Sequence, residues 1–441
     1  MTDIPTSQAR ALAVPSGRIA RLSRLGSLGA GVMGNMALGG MAQLGQGRRP
    51  RMRNLLLTPR NLSRVAEELA QMRGAAMKIG QLMSMDTGEM LPPELAQIMA
   101  RLRADAHFMP PAQLKGVLSA SWGADWQRSF RRFDVRPIAA ASIGQVHRAQ
   151  LRDGRDLAIK VQYPGVARSI DSDVANVGAL IRLSGLVPKG FEIASYLEEG
   201  RRQLHEETDY AREGGCLAQF GALLEGSSEF IVPALHADWS TRDILAMSYV
   251  EAAPIEDAGA AQQEQRDAIA TRLIDLLLRE LFEFGLMQTD PNFANYRYDP
   301  ASARIVLLDF GATREIEGIV ANEYRHLMKA GLAGDRAGLE AAAERIGFLS
   351  PAVEPQFRTR IVRMMQMVFD ALNEGEVYDF ARTDLSRAMQ VEGMALAEEG
   401  FLPPPLPIDA LYLQRKFAGM FLLAARLGAK VRVRALLARY L

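Results

Sequence analysis

The spacing of hydrophobic residues divides most of the chain into a region of short strands followed by a mainly helical region. Phe133–Gln150 predicts a strand, a loop and a strand, and Leu157–Val161 is a short apolar strand that carries one lysine. Further strands are predicted at Ile231–Pro233 and Ile244–Val250. Beyond Gln262 the pattern becomes mostly helical and includes a long apolar helix. The pattern is typical of an α+β protein.

Helical periodicity also precedes the strand region. Apolar residues recur every three or four positions from Leu62 to about Met90, and two prolines then start a second helix that runs to about Arg103. A connecting helix is predicted around Ala112–Leu118. We therefore expect a helical segment in front of the strands.

The last segment, Phe417–Leu441, mixes apolar and basic residues in the pattern of a basic amphipathic helix. Such a helix can lie on an anionic membrane surface, or it can dock on its own domain. The sequence leaves both interpretations open.

Residues 1–50 are predicted to be a loosely structured, glycine-rich extension. Within them, Leu25–Leu44 carries no charge and is flanked by arginines, so its length would just suffice for a membrane-spanning helix. Its many glycines, together with Asn35 and Gln43, are also typical of a packing or dimerising helix. Membrane contact and homodimerisation are therefore both retained as hypotheses. The N terminus lacks the features of a secretory signal, which predicts a cytoplasmic protein.

Composition adds few constraints. With 441 residues, 48% of them hydrophobic, the chain can build two or three domains or one two-lobed enzyme with extensions. Its net charge of +1 provides no general attraction to nucleic acid, so we expect no nucleic-acid partner. The single cysteine, Cys216, excludes an internal disulfide framework and fits a reducing compartment.

The strongest chemical pattern is Asp290-Pro-Asn-Phe-Ala-Asn295, followed by an apolar run that ends in Asp309-Phe-Gly. In phosphoryl-transfer sites one carboxylate lies near the attacking hydroxyl, and a carboxamide and a second carboxylate hold the divalent metals on the nucleotide phosphates. The pattern predicts Asp290 as the catalytic carboxylate and Asn295 and Asp309 as Mg²⁺ ligands. Polar loop residues beside a buried strand are the alternative interpretation.

A turn of small residues between two predicted strands is a candidate phosphate-binding loop, because its backbone N–H groups can approach phosphates closely. It keeps the spacing of a kinase glycine-rich loop, with alanine at the first two glycine positions. The candidate nucleotide-loop residues are Ala139, Ala140, Ala141, Ser142, Gly144 and Val146. An ordinary hairpin is the alternative.

Lys160 lies inside the apolar strand that follows this turn, and an unpaired buried ammonium is costly, so we expect it to have a partner. Asp209 and Glu213 are four residues apart on a predicted helix, and either could reach it. Lys160 would then contact the α- and β-phosphates. The strand that ends at Tyr249 and Val250 leads into a predicted hinge, whose backbone could bind adenine.

In this order, the motifs resemble those of the UbiB/ADCK family of atypical protein-kinase-like proteins. Lys78-Ile79-Gly80-Gln81 is similar to the family's K-x-G-Q signature, and Ala139–Gly144 to its alanine-rich nucleotide loop. Spacing alone would make Lys78 and Gln81 a solvated pair on one helix face. The resemblance extends from roughly Leu62 to Gly428 and is strongest to the branch tied to ubiquinone (coenzyme Q) biosynthesis.

The resemblance implies a two-lobed protein-kinase-like α+β fold with a small mixed N-lobe sheet, a mainly helical C-lobe and an added N-terminal helical segment. The expected divisions are 1–50, a membrane or dimerisation segment; 51–130, the K-x-G-Q extension; 131–254, the N-lobe; and 255–441, the C-lobe.

The resemblance also implies residue roles. Glu207 and Asp209 match the E-x-D motif, and Glu213 falls where the acid that pairs with the strand lysine is expected. The K-x-G-Q segment would fold over the place where a protein substrate binds, so Lys78 and Gln81 would face the E-x-D acids and the nucleotide. Lys160, Asp290, Asn295 and Asp309 correspond to the kinase strand lysine, the catalytic-loop aspartate and the two metal ligands.

The sequence departs from the family pattern in two places, and the first of these departures weakens the expectation of protein phosphorylation. No Ala-Pro-Glu follows Asp-Phe-Gly, and Asp290 is followed by Pro-Asn where many relatives have His and then Pro-Gly before the Asn. We therefore expect an Mg²⁺-dependent, ATP- and ADP-binding atypical kinase or ATPase that supports ubiquinone biosynthesis. Its expected partners are the inner face of the membrane and the enzymes or lipids of that pathway. The alternative is a nucleotide-binding pseudokinase that acts as a chaperone-like organiser of lipid-modifying enzymes, and a true protein kinase is a third possibility.

Overall fold

The computed structural model of the chain divides into two compact units. The first comprises Met1–Ala218 and Ala234–Tyr249, and the second comprises Gln219–Pro233 and Val250–Leu441. The structure describes residues 2–3, 72–86, 108–141, 143–184, 193–401, 404 and 406–441. The glycine-rich segment 25–44 and the predicted helix at 92–103 lie outside these residues. The four divisions expected from the sequence stay a prediction.

The strands are short, and most belong to one of two sheets. In chain order they are β1 (Thr2–Asp3), β2 (Phe130–Phe133), β3 (Ala139–Ala140), β4 (Gly144–Leu151), β5 (Asp156–Gln162), β6 (Phe230–Ile231), β7 (Ile244–Ser248), β8 (Ala253–Pro254), β9 (Leu286–Gln288), β10 (Tyr296–Asp299), β11 (Arg304–Leu307), β12 (Thr313–Glu315), β13 (Tyr378–Asp379) and β14 (Lys430–Val431).

The α-helices cluster towards the C-terminal half. In chain order they are α1 (Arg73–Asp86), α2 (Pro111–Trp122), α3 (Val166–Ser184), α4 (Ile193–Glu207), α5 (Tyr210–Leu223), α6 (Gln263–Arg279), α7 (Gly318–Ala333), α8 (Arg336–Ile346), α9 (Pro355–Asn373), α10 (Asp384–Glu398), α11 (Ile408–Leu427) and α12 (Val433–Leu437).

A six-stranded sheet forms the centre of the first unit. Its order is β1-β3-β4-β5-β7, with β2 paired to β4, and all of these pairs are antiparallel. Leu157, Ile159 and Val161 alternate along β5 and are fully buried in a core shared with α2 and an aromatic cluster around Trp126. Because successive side chains point to opposite faces of a strand, Lys160 emerges on the other face.

Helix α1, which carries the K-x-G-Q segment, packs against α3 and α4 within the first unit. Ile79 is fully buried at this contact, and Gly200 of α4 faces it. A Cβ at position 200 would lie 3.0 Å from Ile79 Cγ1, so a small residue lets the two helices approach closely.

The second unit combines small sheets with most of the helices. Its main sheet has the order β6-β11-β10-β8, in which β6 and β11 are parallel and the other pairs are antiparallel. Strands β9 and β12 form a separate antiparallel ribbon. The long apolar helix expected from the sequence is α6, which continues as a π-helical turn over Glu280–Phe284 and ends at Gly285, whose φ is +61°.

The prediction of one helix over Phe417–Leu441 was wrong. Helix α11 ends at Leu427 because Gly428 adopts a left-handed conformation with φ +58°, and the chain then forms β14 and α12. Leu423 and Leu427 are buried within the second unit, whereas Leu422 is 59% exposed. This segment therefore docks on its own domain. Among the residues that the structure describes, no helix is long and apolar enough to cross a membrane.

Candidate functional site

The strand lysine of the first unit has a buried carboxylate partner. Lys160 is 4% exposed, and its Nζ donates to Glu213 Oε1 at 2.7 Å and to Glu213 Oε2 at 2.9 Å. Glu213 lies in the first turn of α5. The bidentate contact places a charge-assisted pair on the face of β5 opposite the apolar core.

Asp209 does not take part in this pair. The sequence predicted one helix through both acids, but α4 ends at Glu207 and α5 begins at Tyr210. Asp209 lies in the break, where its Oδ1 accepts the Arg212 N–H at 2.9 Å. It therefore caps α5, since a side-chain oxygen satisfies a backbone donor of the first helical turn. That prediction of a single helix was wrong, and Glu213 alone of the two acids contacts the lysine.

The small-residue turn connects β3 to β4 as a tight hairpin. Ala139 pairs with Val146, Ala140 pairs with Gln145, and the Ala141 N–H donates to the Gly144 carbonyl at 2.9 Å. Ser142 lies outside the described residues. The three alanines are buried as whole residues, so the described part of the turn exposes little of its backbone to solvent.

Gly144 cannot be exchanged for a larger residue without movement. A Cβ at this position would clash with the Val161 carbonyl oxygen and would lie 3.0 Å from the Tyr210 hydroxyl. Val146 is also the direct cross-strand neighbour of Lys160. The turn and the lysine are therefore held in a fixed register.

Lys78 also has an acidic partner in the first unit. It is buried on α1 and forms an ion pair with Glu207 at the end of α4. The contact joins the K-x-G-Q segment to the first acid of the E-x-D motif, as the resemblance implied. Gln81 lies on α1, and its side chain is outside the described part.

In the segment predicted to bind adenine, one backbone N–H already has a hydrogen-bond partner. The Tyr249 N–H already donates to the Asp156 carbonyl at 2.9 Å, and the Arg148 guanidinium lies 3.9 Å from the centre of its ring. An adenine at Tyr249 and Val250 would have to use the other backbone groups of this segment.

Two local structures bring together Asp290, Asn295 and Asp309 of the second unit. A short 3₁₀ turn over Phe293–Asn295 folds Asn295 back, so its Nδ2 donates to Asp290 Oδ2 at 3.1 Å and to the Asp290 carbonyl at 3.3 Å. The β10–β11 hairpin then returns the chain, and the Leu308 N–H donates to the Asn295 carbonyl at 2.8 Å. The hairpin explains the spacing in sequence between Asn295 and Asp309.

Asp309 has an unusual backbone conformation. Its φ is +63°, a left-handed value that costs energy for a residue with a side chain. Its carbonyl accepts Gln288 Nε2 at 3.2 Å, and its Oδ1 accepts the Gly311 N–H at 3.2 Å. Strain that is held in place by specific hydrogen bonds is common at functional sites.

Helix α11 adds residues that the sequence motifs missed. Arg415 Nη2 donates to Asp290 Oδ1 at 2.7 Å, and Gly419 leaves room for the ring of Pro291, which any Cβ at position 419 would strike. The next residue, Lys416, is buried beneath the same loop. One signal was available, because two adjacent basic residues lie in a mostly apolar helix and a buried cation needs a partner.

The donor set of the second unit fits a magnesium ion on a nucleotide. Mg²⁺ prefers oxygen ligands and is commonly held by one or two carboxylates together with substrate phosphates. Asn295 turns its amide nitrogen towards Asp290, which directs its acceptor oxygen elsewhere, and Asp309 supplies a carboxylate. Among the described residues, no group of three or more His, Cys, Asp or Glu could hold a metal alone, so phosphate oxygens would have to complete the coordination.

Comparisons with known proteins identify the family of the chain. A family model described as the ABC1 atypical kinase-like domain matches residues 101–343. The atypical kinase COQ8, mitochondrial, of Saccharomyces cerevisiae is 37% identical over 421 residues, which cover 95% of this chain and 83% of the yeast protein. The atypical kinase COQ8B, mitochondrial, of Rattus norvegicus is 36% identical over 97% of this chain and 81% of the rat protein.

A solved complex of Rv3197 with erythromycin from Mycobacterium tuberculosis has a similar fold. It has a TM-score of 0.61 and 24% sequence identity, and the match covers 85% of this chain and 93% of that chain. With the family match, this likeness confirms the predicted α+β, two-lobed kinase-like fold.

Proposed function

Because this chain belongs to the ABC1 family of atypical kinase-like proteins, we propose that it is an Mg²⁺-dependent nucleotide-binding phosphotransferase or ATPase. ATP and ADP are the proposed ligands. Support for ubiquinone biosynthesis at a membrane face is the proposed role, given the resemblance of its motifs to that branch of the family.

One observation carries the proposal: a single loop and hairpin bring Asp290, Asn295 and Asp309 to one place in the second unit. In this arrangement Mg²⁺ would neutralise phosphate charge, with Asn295 and Asp309 as its protein ligands. Asp290 would orient the attacking hydroxyl or water, and Arg415 would hold its carboxylate in one orientation.

The first unit has candidate nucleotide contacts of its own. Lys160 is proposed to bind phosphate oxygens while Glu213 fixes its position. The β3–β4 turn would offer backbone N–H groups to the same phosphates. The Lys78–Glu207 pair is proposed to hold the K-x-G-Q segment where it restricts access of a protein substrate.

Nucleotide titration with and without Mg²⁺ tests the metal assignment. In Asp309→Asn the affinity for ADP without Mg²⁺ should be unchanged, and the gain produced by Mg²⁺ should fall about tenfold or more, because a carboxylate ligand is replaced by a neutral amide. The exposed residue Asp257 of the second unit gives the control variant Asp257→Asn. An unchanged Mg²⁺-dependent gain in Asp309→Asn would refute the metal role.

The same protein can distinguish catalysis from a purely organising role. Phosphate release from ATP in the presence of liposomes should fall about 10²–10⁴-fold in Asp290→Asn if Asp290 acts on the nucleophile. If wild type and Asp290→Asn release phosphate equally, and Asp290→Asn still supports ubiquinone synthesis in cells, the pseudokinase alternative is correct.

A further inference from the structure

Among the described residues of the second unit, Lys416 is the most deeply buried cation. It is 2% exposed, and its Nζ donates to the Gln288 carbonyl at 2.7 Å and to the Tyr296 hydroxyl at 2.9 Å. Gln288 Oε1 lies 3.3 Å away, and Glu280 Oε2 also lies at 3.3 Å. Four oxygens from three segments therefore surround one ammonium.

The contacts of Lys416 bracket the loop Asp290–Asn295. Gln288 is the last residue of β9, two positions before Asp290, and Tyr296 follows Asn295 directly as the first residue of β10. A single buried group thus fixes the point where the chain enters the loop and the point where it leaves.

The network also reaches the proposed metal ligand. The Gln288 side chain directs its oxygen to Lys416 and its Nε2 to the carbonyl of Asp309 at 3.2 Å. Since Asp309 has a left-handed backbone conformation, this hydrogen bond helps to maintain a conformation that the residue would not adopt unaided. Lys416 sets the orientation of the Gln288 amide, because an ammonium can contact only the oxygen end.

Glu280 supplies the compensating charge. It is the first residue of the π-helical turn that follows α6, and its side chain is buried. Burial alone would lower the pKa of the Lys416 ammonium, but the Glu280 carboxylate and the Tyr296 oxygen raise it overall. Lys416 therefore stays charged at neutral pH. Single-turn π-helical segments are often found at functional sites.

We propose that Lys416 is a positioning residue for the reaction, which sets the separation of Asp290 from Asp309 by holding Gln288 and Tyr296 at the two ends of the loop. This inference rests on the proposed function. It assigns to α11 a role beyond the Arg415 contact with Asp290, since Lys416 acts on the loop through Gln288 and Tyr296.

The test compares kinetics with stability. In Lys416→Met, kcat for phosphate release should fall about 100-fold, as expected when reacting groups shift by about 1 Å, while KM for ATP changes less than about threefold. This single variant leaves Glu280 buried without its cation, so it will also be less stable. The double variant Lys416→Met/Glu280→Leu removes both charges and should recover most of the stability while kcat stays low.

The control is Lys329→Met, which removes an exposed lysine from α7 and should keep the wild-type kcat. If kcat returns to the wild-type value together with stability in the double variant, Lys416 has only a structural role and the inference is wrong.

Hydrogen exchange separates this inference from the proposed function. In the double variant, backbone amides from Thr289 to Tyr296 should exchange faster, because both ends of the loop are released. This readout requires no turnover. Wild-type protein that releases no phosphate, with or without liposomes, would refute ATPase activity, whereas unchanged exchange in the double variant would refute the positioning role of Lys416.

Discussion

Each unit of the protein contains a buried lysine–glutamate pair, and the two pairs differ in what surrounds the ammonium. Lys160 contacts both oxygens of the Glu213 carboxylate, beside a turn of small residues. Lys416 is shared among a backbone carbonyl, an amide oxygen, a phenol and the Glu280 carboxylate. Both lysines are less than 5% exposed.

The difference suggests how one chemical pair can serve two purposes. Under the proposed function, a nucleotide phosphate would compete with the Glu213 carboxylate for Lys160, and the pair would keep the cation positioned until the nucleotide binds. Four oxygens already surround Lys416, which leaves little room for a ligand and makes the ammonium a fixed junction between segments.

The largest expected effect comes from breaking each pair. Lys160→Met and Lys416→Met should each lower the free energy of unfolding by about 3–5 kcal/mol, because a buried carboxylate loses its partner. Chemical denaturation measures this loss. The doubly substituted forms Lys160→Met/Glu213→Leu and Lys416→Met/Glu280→Leu should recover most of it.

Ligand protection then tells the two pairs apart. Mg-ADP should still raise the unfolding midpoint of Lys416→Met/Glu280→Leu, but it should have little effect on Lys160→Met/Glu213→Leu, since binding stabilises only a protein that keeps the site. Equal protection of both double variants would mean that the pairs do not differ in the way described above.

The second-largest effect on stability should come from His147, a buried side chain that is neutral, unlike the two charged pairs. His147 is fully buried in the first unit, with Nδ1 2.7 Å from the Asp134 carbonyl and Nε2 2.8 Å from Gln145 Nε2. Burial lowers its pKa to about 4 from the ordinary 6.5. The unfolded chain therefore binds more protons than the folded chain between these two values, and stability falls as the pH decreases.

This stabilisation is fully present above pH 6.5 and is lost on acidification towards pH 4, by about 3 kcal/mol. Unfolding free energies measured across this range should have a shallower pH dependence in His147→Gln than in wild type. Parallel curves would show that His147 is not responsible.

The smallest effects should come from two glycines, one in each unit. Gly144→Ala would press on the Val161 carbonyl, and Gly419→Ala would press on the ring of Pro291. Each should cost about 1–3 kcal/mol of stability through overpacking. Only Gly419→Ala should also lower kcat without changing ADP affinity, because it displaces the loop that carries Asp290.

The matched controls are glycines with open space around the missing Cβ. Gly116 on α2 and Gly393 on α10 have no heavy atom within 4 Å of that position. Alanine at either site should leave activity unchanged and stabilise the protein by up to about 1 kcal/mol, because helical glycine is unfavourable. A loss of activity in a control would show that the assay reports general destabilisation.

Local sequence patterns were enough to predict much of the fold and one side of the site. The apolar run Leu157–Val161 predicted the strand β5 that carries Lys160, and the apolar run before Asp309 corresponds to β11, although the β10–β11 hairpin was not predicted. These features depend on neighbours close in the chain, so periodicity and short motifs detect them.

The parts that sequence reasoning missed depend on distant contacts or on a single turn. Arg415 and Lys416 meet the loop from more than 100 residues away, and no local pattern specifies such a partner. The break between α4 and α5 depends on Asp209 capping the second helix, and Gly428 ends α11 although polar and apolar residues continue beyond it in a helical pattern. At these two helix ends a local conformation overrides the average pattern.

The contact between Asp290 and Arg415 also has a consequence for synthesis on the ribosome. The two residues are 125 positions apart, and Arg415 belongs to the last long helix. At ordinary elongation rates, the aspartate would wait about 6–25 s before its arginine is even synthesised. A nascent chain can therefore form the hairpin that aligns Asn295 with Asp309 long before α11 completes the loop. Protein whose synthesis stops before Arg415 would carry all the motifs described above and still lack the contact that holds the Asp290 carboxylate.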